Sequence, residues 1–476
     1  MTINERPPMK KLLICIALTL LTVSAFLIRL DNFRHGRTVS IDEVVYYRMG
    51  AQMTKNLADY NTIPYGKDLS ATGRELPQYF FEPLFKHPPL FTLLVTASMK
   101  IFGAKMVSGE YVSLASSVLM LPLIYLLGTL IFGRTVGLLS AFLFWIDPIN
   151  MISSQKAWMD NTIAFFTLLT VVFFVYALKT NKDLYFILSG IAAGLATNTK
   201  YTGIFITLAM ILFTLLYRRD LFKRPAFNAG LILPIVLLIP WFLWNCKVYG
   251  WQLLSHVENN SDIGSMLELT FGGLWKVGLL GILGYLLFLW VKQTKYQFSA
   301  PKVELRSPRN NNITNLLVVL FLVFFFQQAI INSLQLFYFP PTSWAQGLFS
   351  GAPTWFYFTH LIEFSPFYFF AWVALFTHDA SAPQEAAVLR LSATVILLFF
   401  IAWGNYQSRY ILSSLPFLLI LAAAVIEKTY HKFPEIPRFL PRMVLCFSFL
   451  LLLGYATFKV IYINKYVSFP HDFCYF

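Results

Sequence analysis

Two adjacent carboxylates, Asp42 and Glu43, follow the first long apolar run of the chain, in the stretch VSIDEVVYYRMG at 39–50. A carboxylate at the water edge of a membrane can accept the proton of an attacking hydroxyl group, which is the role of a general base. Ser40 and Glu43 also have the spacing of a capping box, which satisfies the first turn of a helix. Capping accounts for Glu43 and the helix dipole would accommodate Asp42, so these structural explanations stand beside the catalytic one.

A third carboxylate, Asp160, opens a later apolar run in the stretch ISSQKAWMDNTIAFF, with Lys156 four residues before it. The structural explanation of Asp160 is a favourable charge at the N-terminus of the helix that follows. The functional explanation is that Asp160 meets Asp42 across the protein surface. Two such carboxylates could bind a divalent cation or none, so the sequence leaves metal dependence open.

Basic and aromatic side chains accompany these acids in three further segments. Lys86 and His87 precede two prolines in FKHPPLF, Lys200 separates two apolar runs in NTKYTG, and Arg409 with Tyr410 begins another run in NYQSRYILSSLPF. Cationic side chains at membrane depth are costly and usually pair or extend to the interface. The structural alternative for Lys86 and His87 is a solvated turn. For Lys200 and Arg409 it is anchoring of a helix end at the interface.

These segments could together line one cavity at the outer face of a membrane. A cluster of cations there suits a phosphate group whose lipid tail stays in the bilayer, and an arginine grips phosphate oxygens in a bidentate manner. The candidates for binding a donor phosphate or substrate are Lys86, His87, Lys156, Lys200, Arg409 and Tyr410.

The elements that must position these residues are membrane helices. The chain has 476 residues, of which 57% are hydrophobic and only 13% charged. A soluble domain could not solvate such a surface, so the sequence predicts an all-α polytopic membrane protein with about thirteen transmembrane helices. The expected spans are 11–30, 108–131, 135–151, 160–178, 184–198, 201–217, 227–245, 271–291, 313–333, 355–377, 390–404, 410–426 and 442–462.

Charge and cysteine content exclude other classes. The net charge of +14 is expected of cytoplasmic loops that face anionic lipid, so we predict no nucleic-acid partner. The four cysteines lie far apart without a CxxC pair, which argues against a disulfide framework or a thiolate metal site. The first apolar run is long and lacks a small-residue cleavage site, so we expect an uncleaved anchor.

The sidedness of the chain depends on residues 89–103. A 15-residue helix covers only about 22 Å, less than the roughly 30 Å hydrocarbon core. If it lies along the interface, three basic loops fall on the side of the basic N-terminus, as the positive-inside rule favours. The N-terminus is then cytoplasmic, and 31–107 forms a large extracytoplasmic loop. The predicted location is the plasma membrane, the inner membrane of a bacterium, with the site on the extracytoplasmic side.

A helix is expected directly after Ser40 in this loop. Its apolar stripe would comprise Tyr46, Met49, Gly50, Met53 and Leu57, and its polar face Arg48, Gln52, Lys55 and Asp59. Such an amphipathic helix is expected to rest in the interface plane.

Six segments, taken in order, resemble the GT-C superfamily of membrane glycosyltransferases, and within it the protein O-mannosyltransferase and aminoarabinose transferase (ArnT-like) branch. They are IDEVVYY, HPPLFTLLVTASMKIFG, YLLGTLIFGRTVGLLSAFLF, SSQKAWMDNTIAFF, GIAAGLATNTKYTGIF and SRYILSSLPFLLILAA. The resemblance covers roughly 10–245 and the Arg409 segment. It implies a catalytic transmembrane module at 1–245, and a variable transmembrane region at 246–476 that completes the donor and acceptor cavity.

The resemblance implies transfer of a sugar, a hexose or a pentose, from a polyprenyl-phosphate donor to an extracytoplasmic acceptor. The positions that match the family's acids are Asp42, Glu43 and Asp160. The positions that match its basic residues are Lys200 and Arg409 near the donor phosphate, and His87 before the proline. Val44 and Val45 stand where ArnT-type enzymes carry a polar residue, so the acceptor stays open between lipid, glycan and protein.

The chemistry of such a donor agrees with these residue types. A lipid phosphate leaves as a stable anion, so the enzyme needs cations at the leaving oxygens rather than a general acid. One carboxylate that activates the acceptor would suffice, which implies inversion at the anomeric carbon. No cofactor is expected, although a divalent cation is possible.

Two other functions compete with transfer. A flippase or transporter of lipid-linked glycans would need polar residues inside several spans, whereas most charges here, apart from residues such as Lys276, lie in loops or at span ends. A non-catalytic GT-C-like subunit would be expected to lose the acids, which this chain keeps.

Overall fold

The computed structural model of the protein describes residues 8–32, 39–73, 78–81, 87–250, 356–376, 383–403, 407–432, 447, 450–458 and 461. The chain divides into two compact units, and the first comprises Met1–Leu254, His360–Leu398 and Gln407–Cys474. The second unit lies almost entirely outside the described residues. Lys86, the expected spans at 271–291 and 313–333, and about half of the last span also lie outside them.

Regular structure in the described part of the chain is entirely helical. The α-helices are α1 (Pro8–Asn32), α2 (Ile41–Lys55), α3 (Ile63–Ser70), α4 (Leu90–Phe102), α5 (Met106–Phe132), α6 (Arg134–Trp145), α7 (Pro148–Ser153), α8 (Met159–Thr180), α9 (Asp183–Thr199), α10 (Ile204–Tyr217), α11 (Pro225–Tyr249), α12 (Phe356–Phe364), α13 (Tyr368–Phe376), α14 (Ala386–Trp403) and α15 (Leu415–Lys432). Short 3-10 turns occupy Gln78–Phe81, Tyr201–Gly203, Arg219–Lys223 and Ser408–Ser414.

Five segments within the described residues are long and apolar enough to cross a membrane. They are Leu12–Leu30, Met106–Phe132, Met159–Thr180, Pro225–Val248 and Ser408–His431. Shorter apolar helices accompany them at Leu90–Phe102, Arg134–Trp145, Tyr201–Tyr217 and Ala386–Phe400. The protein is therefore a multi-pass integral membrane protein that is helical throughout the part of the chain the structure describes, while the number thirteen stays a prediction.

One expected span, 135–151, is divided between α6 and α7. Asp147 ends the first segment and caps the second, since its Oδ1 accepts a hydrogen bond from the Asn150 N–H at 2.8 Å. Pro148 follows in the first helical position, where a missing N–H costs nothing and the fixed φ favours the start of a helix. The apolar periodicity continues through this break, which is why the sequence predicted a single helix.

The central helices approach each other closely. Helix α8 packs against both α5 and α9, and α9 packs against α11. Gly190 of α9 and Gly230 of α11 meet so tightly that a Cβ added at either would collide with the backbone of the other helix. The Ser408–Ser414 turn packs on α8 and leads into α15, which packs on α6. This arrangement places the start of α8 and the Ser408–Ser414 turn side by side.

Helix α2 does not present its apolar stripe to the membrane interface as expected. Tyr46, Met49 and Met53 are buried in one cluster with Phe91 and Val95 of α4. The Tyr46 and Phe91 rings meet edge to face at 4.9 Å between centroids. The short α4 supplies a complementary apolar face, so protein rather than lipid covers this side of α2.

Candidate active site

The first turn of α2 separates its two carboxylates. The capping box is present: Ser40 Oγ accepts the Glu43 N–H at 3.4 Å, and Glu43 Oε2 accepts the Ser40 N–H at 2.7 Å. The Glu43 side chain is therefore folded back into the protein and is only 2% exposed. The Asp42 side chain is not needed by the box and is 49% exposed.

Glu43 joins α2 to the turn that precedes α8. Its Oε2 lies 3.3 Å from Lys156 Nζ, and its Oε1 accepts the Ala157 N–H at 3.3 Å. A second connection runs from the Trp158 indole N–H to Ser40 Oγ at 3.0 Å. Both oxygens of Glu43 thus make contacts that hold two elements together, a geometry suited to positioning.

Arg409 is the point at which the other two acids meet. Its Nη2 lies 2.8 Å from Asp42 Oδ2, and its Nε lies 4.0 Å from Asp160 Oδ2. The Nε also donates a hydrogen bond to Gln407 Oε1 at 2.7 Å. The guanidinium carbon lies 4.3 Å from the centre of the Trp158 ring, which gives the cation an aromatic wall. The structure therefore brings Asp42 and Asp160 to the same cation, although they come from different segments.

Lys200 supplies a second cation to this cluster. It directly follows α9, and its Nζ lies 3.5 Å from Asp160 Oδ1 and 4.4 Å from the centre of the Tyr410 ring. Burial lowers the pKa of Lys200 below its ordinary value, and the neighbouring Arg409 adds to this effect. The charges of Asp160 and Asp42 oppose the shift and raise the pKa. The proton on Lys200 therefore depends on its acidic neighbours.

The acids of the candidate site already have cationic partners. Asp42 and Asp160 are paired with cations, and Glu43 is paired with Lys156. A divalent ion at Asp42 and Asp160 would have to displace the guanidinium of Arg409 from both. Within the described ranges no three histidine, cysteine, aspartate or glutamate side chains form a group that could hold a metal.

Of the other predicted binding residues, the structure describes His87 but not Lys86. The carbonyl oxygen of His87 accepts a hydrogen bond from the Tyr60 hydroxyl at 2.9 Å. The Tyr60 ring meets Trp241 edge to face at 5.3 Å, and the Trp241 N–H donates to the Tyr201 hydroxyl at 2.8 Å. His87 is thus connected by aromatic contacts to the residue that follows Lys200.

Sequence reasoning missed three residues of the cluster, which are Trp158, Gln407 and Tyr46. Trp158 lies between Lys156 and Asp160, so its place between two charged candidates was a usable signal. Tyr46 was assigned to an apolar stripe, but burial and then the charge of Asp42 raise the pKa of its hydroxyl well above the ordinary value. Its hydroxyl therefore stays protonated beside the acids.

Comparison with known proteins confirms the resemblance. Residues 86–244 match the family model described as dolichyl-phosphate-mannose-protein mannosyltransferase. No curated protein matches the chain significantly. The structure of apo ArnT from Cupriavidus metallidurans is similar with a TM-score of 0.51 at 17% identity, over 87% of this chain and 61% of that one.

Archaeal oligosaccharyltransferase structures from Archaeoglobus fulgidus show the same fold. AglB in complex with an inhibitory peptide and a dolichol-phosphate has a TM-score of 0.55 at 17% identity, over 97% of this chain and 56% of that one. An Archaeoglobus fulgidus oligosaccharyltransferase in complex with zinc and sulfate has a TM-score of 0.50 at 15% identity, over 94% of this chain and 53% of that one. The chain therefore spans less than two thirds of the length of these structures and has their GT-C fold, and its segment 86–244 matches the mannosyltransferase family model.

Proposed function

We propose that the protein is an inverting glycosyltransferase that moves a sugar from a polyprenyl-phosphate donor to an acceptor on the extracytoplasmic face of the membrane. The observation that carries the proposal is the junction at Arg409, where a half-exposed carboxylate, a buried carboxylate and a second cation meet. The mannosyltransferase family model and the dolichol-phosphate held by an archaeal relative of the same fold support this donor class.

The donor phosphate would be held by Arg409 and Lys200. Arg409 is oriented by Gln407 and by the Trp158 ring, so its fork of N–H donors is fixed before the donor arrives. Both cations are largely buried, where an ionic contact is screened less than in water. They would stabilise the phosphate as it leaves, so no general acid is required.

Asp42 is the proposed general base. It is the accessible carboxylate, whereas Asp160 is buried between Lys200 and Arg409. Asp42 contacts the same guanidinium that the phosphate would need. An arriving phosphate would take over Arg409, and Asp42 would become available as a base only when a donor is present.

The reaction is then a single displacement. Asp42 takes the proton of the acceptor hydroxyl, the acceptor oxygen bonds to the anomeric carbon, and the bond from that carbon to the phosphate oxygen breaks. The lipid phosphate keeps the electron pair and stays on Arg409 and Lys200. One displacement inverts the anomeric carbon. Glu43 has a positioning role in this scheme, because Lys156 and the Ala157 N–H occupy its oxygens.

The proposed site uses both parts of the chain. Asp42 and Asp160 come from 1–245, and Arg409 comes from 246–476. All of them belong to the same compact unit. This supports the proposal that the second region completes the donor cavity. From the charge distribution we also propose that the first loop and the site lie on the extracytoplasmic side of a plasma membrane.

The test is transfer by purified protein in nanodiscs supplied with a panel of polyprenyl-phosphate sugars and envelope acceptors. Release of polyprenyl phosphate and glycosylated acceptor is measured with and without a chelator, because zinc is present in one relative of this fold. Arg409→Ala should weaken donor use roughly tenfold or more, since a charge-assisted hydrogen bond contributes about 1.5–3 kcal/mol.

The matched control is Arg218→Ala, which removes an exposed ion pair with Asp220 and should leave donor use unchanged. If Arg409→Ala used the donor as well as the parent does, Arg409 would not bind the donor phosphate and would only anchor its helix. Transbilayer movement of the donor without any transfer would instead support a flippase.

A further inference from the structure

The short helix α7 is held at its C-terminal end by a buried arginine from another helix. Arg29 lies in the last turn of α1 and is fully buried. Its Nε donates a hydrogen bond to Ser154 Oγ at 3.1 Å, and its Nη1 donates to the Ala25 carbonyl at 3.2 Å. Ser154 is the residue that ends α7, and its hydroxyl donates to the Met151 carbonyl at 2.7 Å. Arg29 therefore connects α1 to the end of α7.

The N-terminal end of α7 is held by a second set of buried contacts. Asp147 Oδ2 accepts a hydrogen bond from the Tyr368 hydroxyl of α13 at 2.7 Å. Asn150 Oδ1 accepts one from Ser117 of α5 at 2.8 Å. All four side chains are buried. The position of α7 is thus set from three helices, α1, α5 and α13.

Burying the charged side chain of Arg29 at this position costs free energy. It attracts Asp147 electrostatically without a direct ion pair, and its Nη2 has no hydrogen-bond partner within the described residues. Replacing incompletely paired buried charges by apolar side chains is often neutral or stabilising. Stability alone therefore does not explain an arginine here, whereas a role in fixing the position of α7 and the residues after it does.

The residues directly after Ser154 are those that build the candidate site. Lys156 pairs with Glu43, Trp158 forms the wall beside Arg409, and Asp160 follows at the start of α8. We propose that Arg29 is a positioning residue, which fixes the 154–160 segment through Ser154 and thereby aligns the acids with the donor. This inference rests on the proposed function.

The proposal separates turnover from donor binding. Movement of the 154–160 segment would shift Trp158 and Asp160 against the two cations. Lys200 and Arg409 come from other elements, however, and Gln407 would still orient Arg409, so most of the hold on the phosphate would remain. The alignment of the reacting groups would be lost, and a misplacement of about 1 Å can cost roughly a hundredfold in rate. Arg29→Met should therefore lower turnover by about tenfold to a hundredfold, with donor affinity within about threefold of the parent.

Two further variants separate positioning from simple charge balance. Arg29→Met leaves the Asp147 charge buried without its attracting cation, and this alone could destabilise the fold. Arg29→Met combined with Asp147→Asn removes both charges and keeps the helix cap. The double variant should recover the melting temperature but not the turnover, because the contact with Ser154 is still missing. Arg29→Lys retains a donor and should recover turnover in part.

The experiment measures melting temperature, turnover and affinity for polyprenyl phosphate of these variants in nanodiscs. Arg224→Met, which removes an ion pair with Asp183 at the other end of α9, is the matched control and should behave as the parent. Normal turnover in the double variant would overturn the positioning role of Arg29 and leave the proposed function standing. Absence of transfer by the parent protein would overturn both this role and the proposed function.

Discussion

Successive residues of an α-helix point about 100° apart, so Asp42 and Glu43 face different surroundings although they are adjacent. Glu43 enters a buried pair with Lys156, while Asp42 keeps half of its side chain exposed and contacts Arg409. The sequence predicted both as catalytic acids, because it shows the capping spacing but not which oxygens are already in use. At the residue scale, the exposure and the partners of the two acids support the proposal that Asp42 is the base and Glu43 a positioning residue.

Asp160 provides a test of the electrostatics at this scale. Burial lowers the pKa of Lys200, and the Asp160 carboxylate is the largest influence that raises it. Asp160→Asn should lower this pKa further. Lys200 is charged below its pKa, so affinity for polyprenyl phosphate should decline at a lower pH in the variant than in the parent. The affinity for polyprenyl phosphate is measured as a function of pH, with Asp160→Glu as the control that retains the charge. If the affinity of Asp160→Asn declined at the same alkaline pH as that of the parent, the role of Lys200 would be contradicted.

At the scale of elements, several helices could be predicted from the apolar pattern. The expected span at 108–131 corresponds to α5, and 160–178 corresponds to α8. The division at Asp147 and the burial of the α2 stripe were missed, because a pattern of apolar residues does not say whether lipid or protein covers them. The place of Trp158 between Lys156 and Asp160 was a usable signal, but its contact with Arg409 could not be predicted because the two residues are distant in the chain. Long-range contacts of this kind have no signature in a single sequence.

The connection of α2 to the turn before α8 can be tested by its buried ion pair. Glu43→Gln keeps the capping box but leaves the Lys156 ammonium buried without the Glu43 carboxylate. Breaking a buried pair costs about 3–5 kcal/mol, so melting temperature and turnover should both fall. Glu43→Gln combined with Lys156→Met should restore the melting temperature. The exposed Asp220→Asn serves as control, and an unchanged melting temperature in Glu43→Gln would show that the pair does not join these elements.

At the scale of the whole molecule, the sidedness of the chain is the open prediction. The site lies among the first loop, the turn before α8, the end of α9 and the Ser408–Ser414 turn, all of which the charge distribution places outside. In a cysteine-free background, Ser70→Cys should react with a membrane-impermeant thiol reagent in intact cells. Lys223→Cys should be shielded, and both positions are exposed in the structure. Reversed labelling would mean that α4 crosses the membrane.

We propose that Asp42 is a base held by Arg409 until a donor phosphate replaces it. The most direct measurement compares turnover and affinity for polyprenyl phosphate in Asp42→Asn and in the parent. Loss of a general base should lower turnover by about 10²–10⁴-fold. Affinity should be equal or higher, because the variant no longer offers Arg409 a competing carboxylate. Turnover above about a tenth of the parent value, or a clear loss of affinity, would contradict this role of Asp42 and make Asp160 the leading candidate for the base.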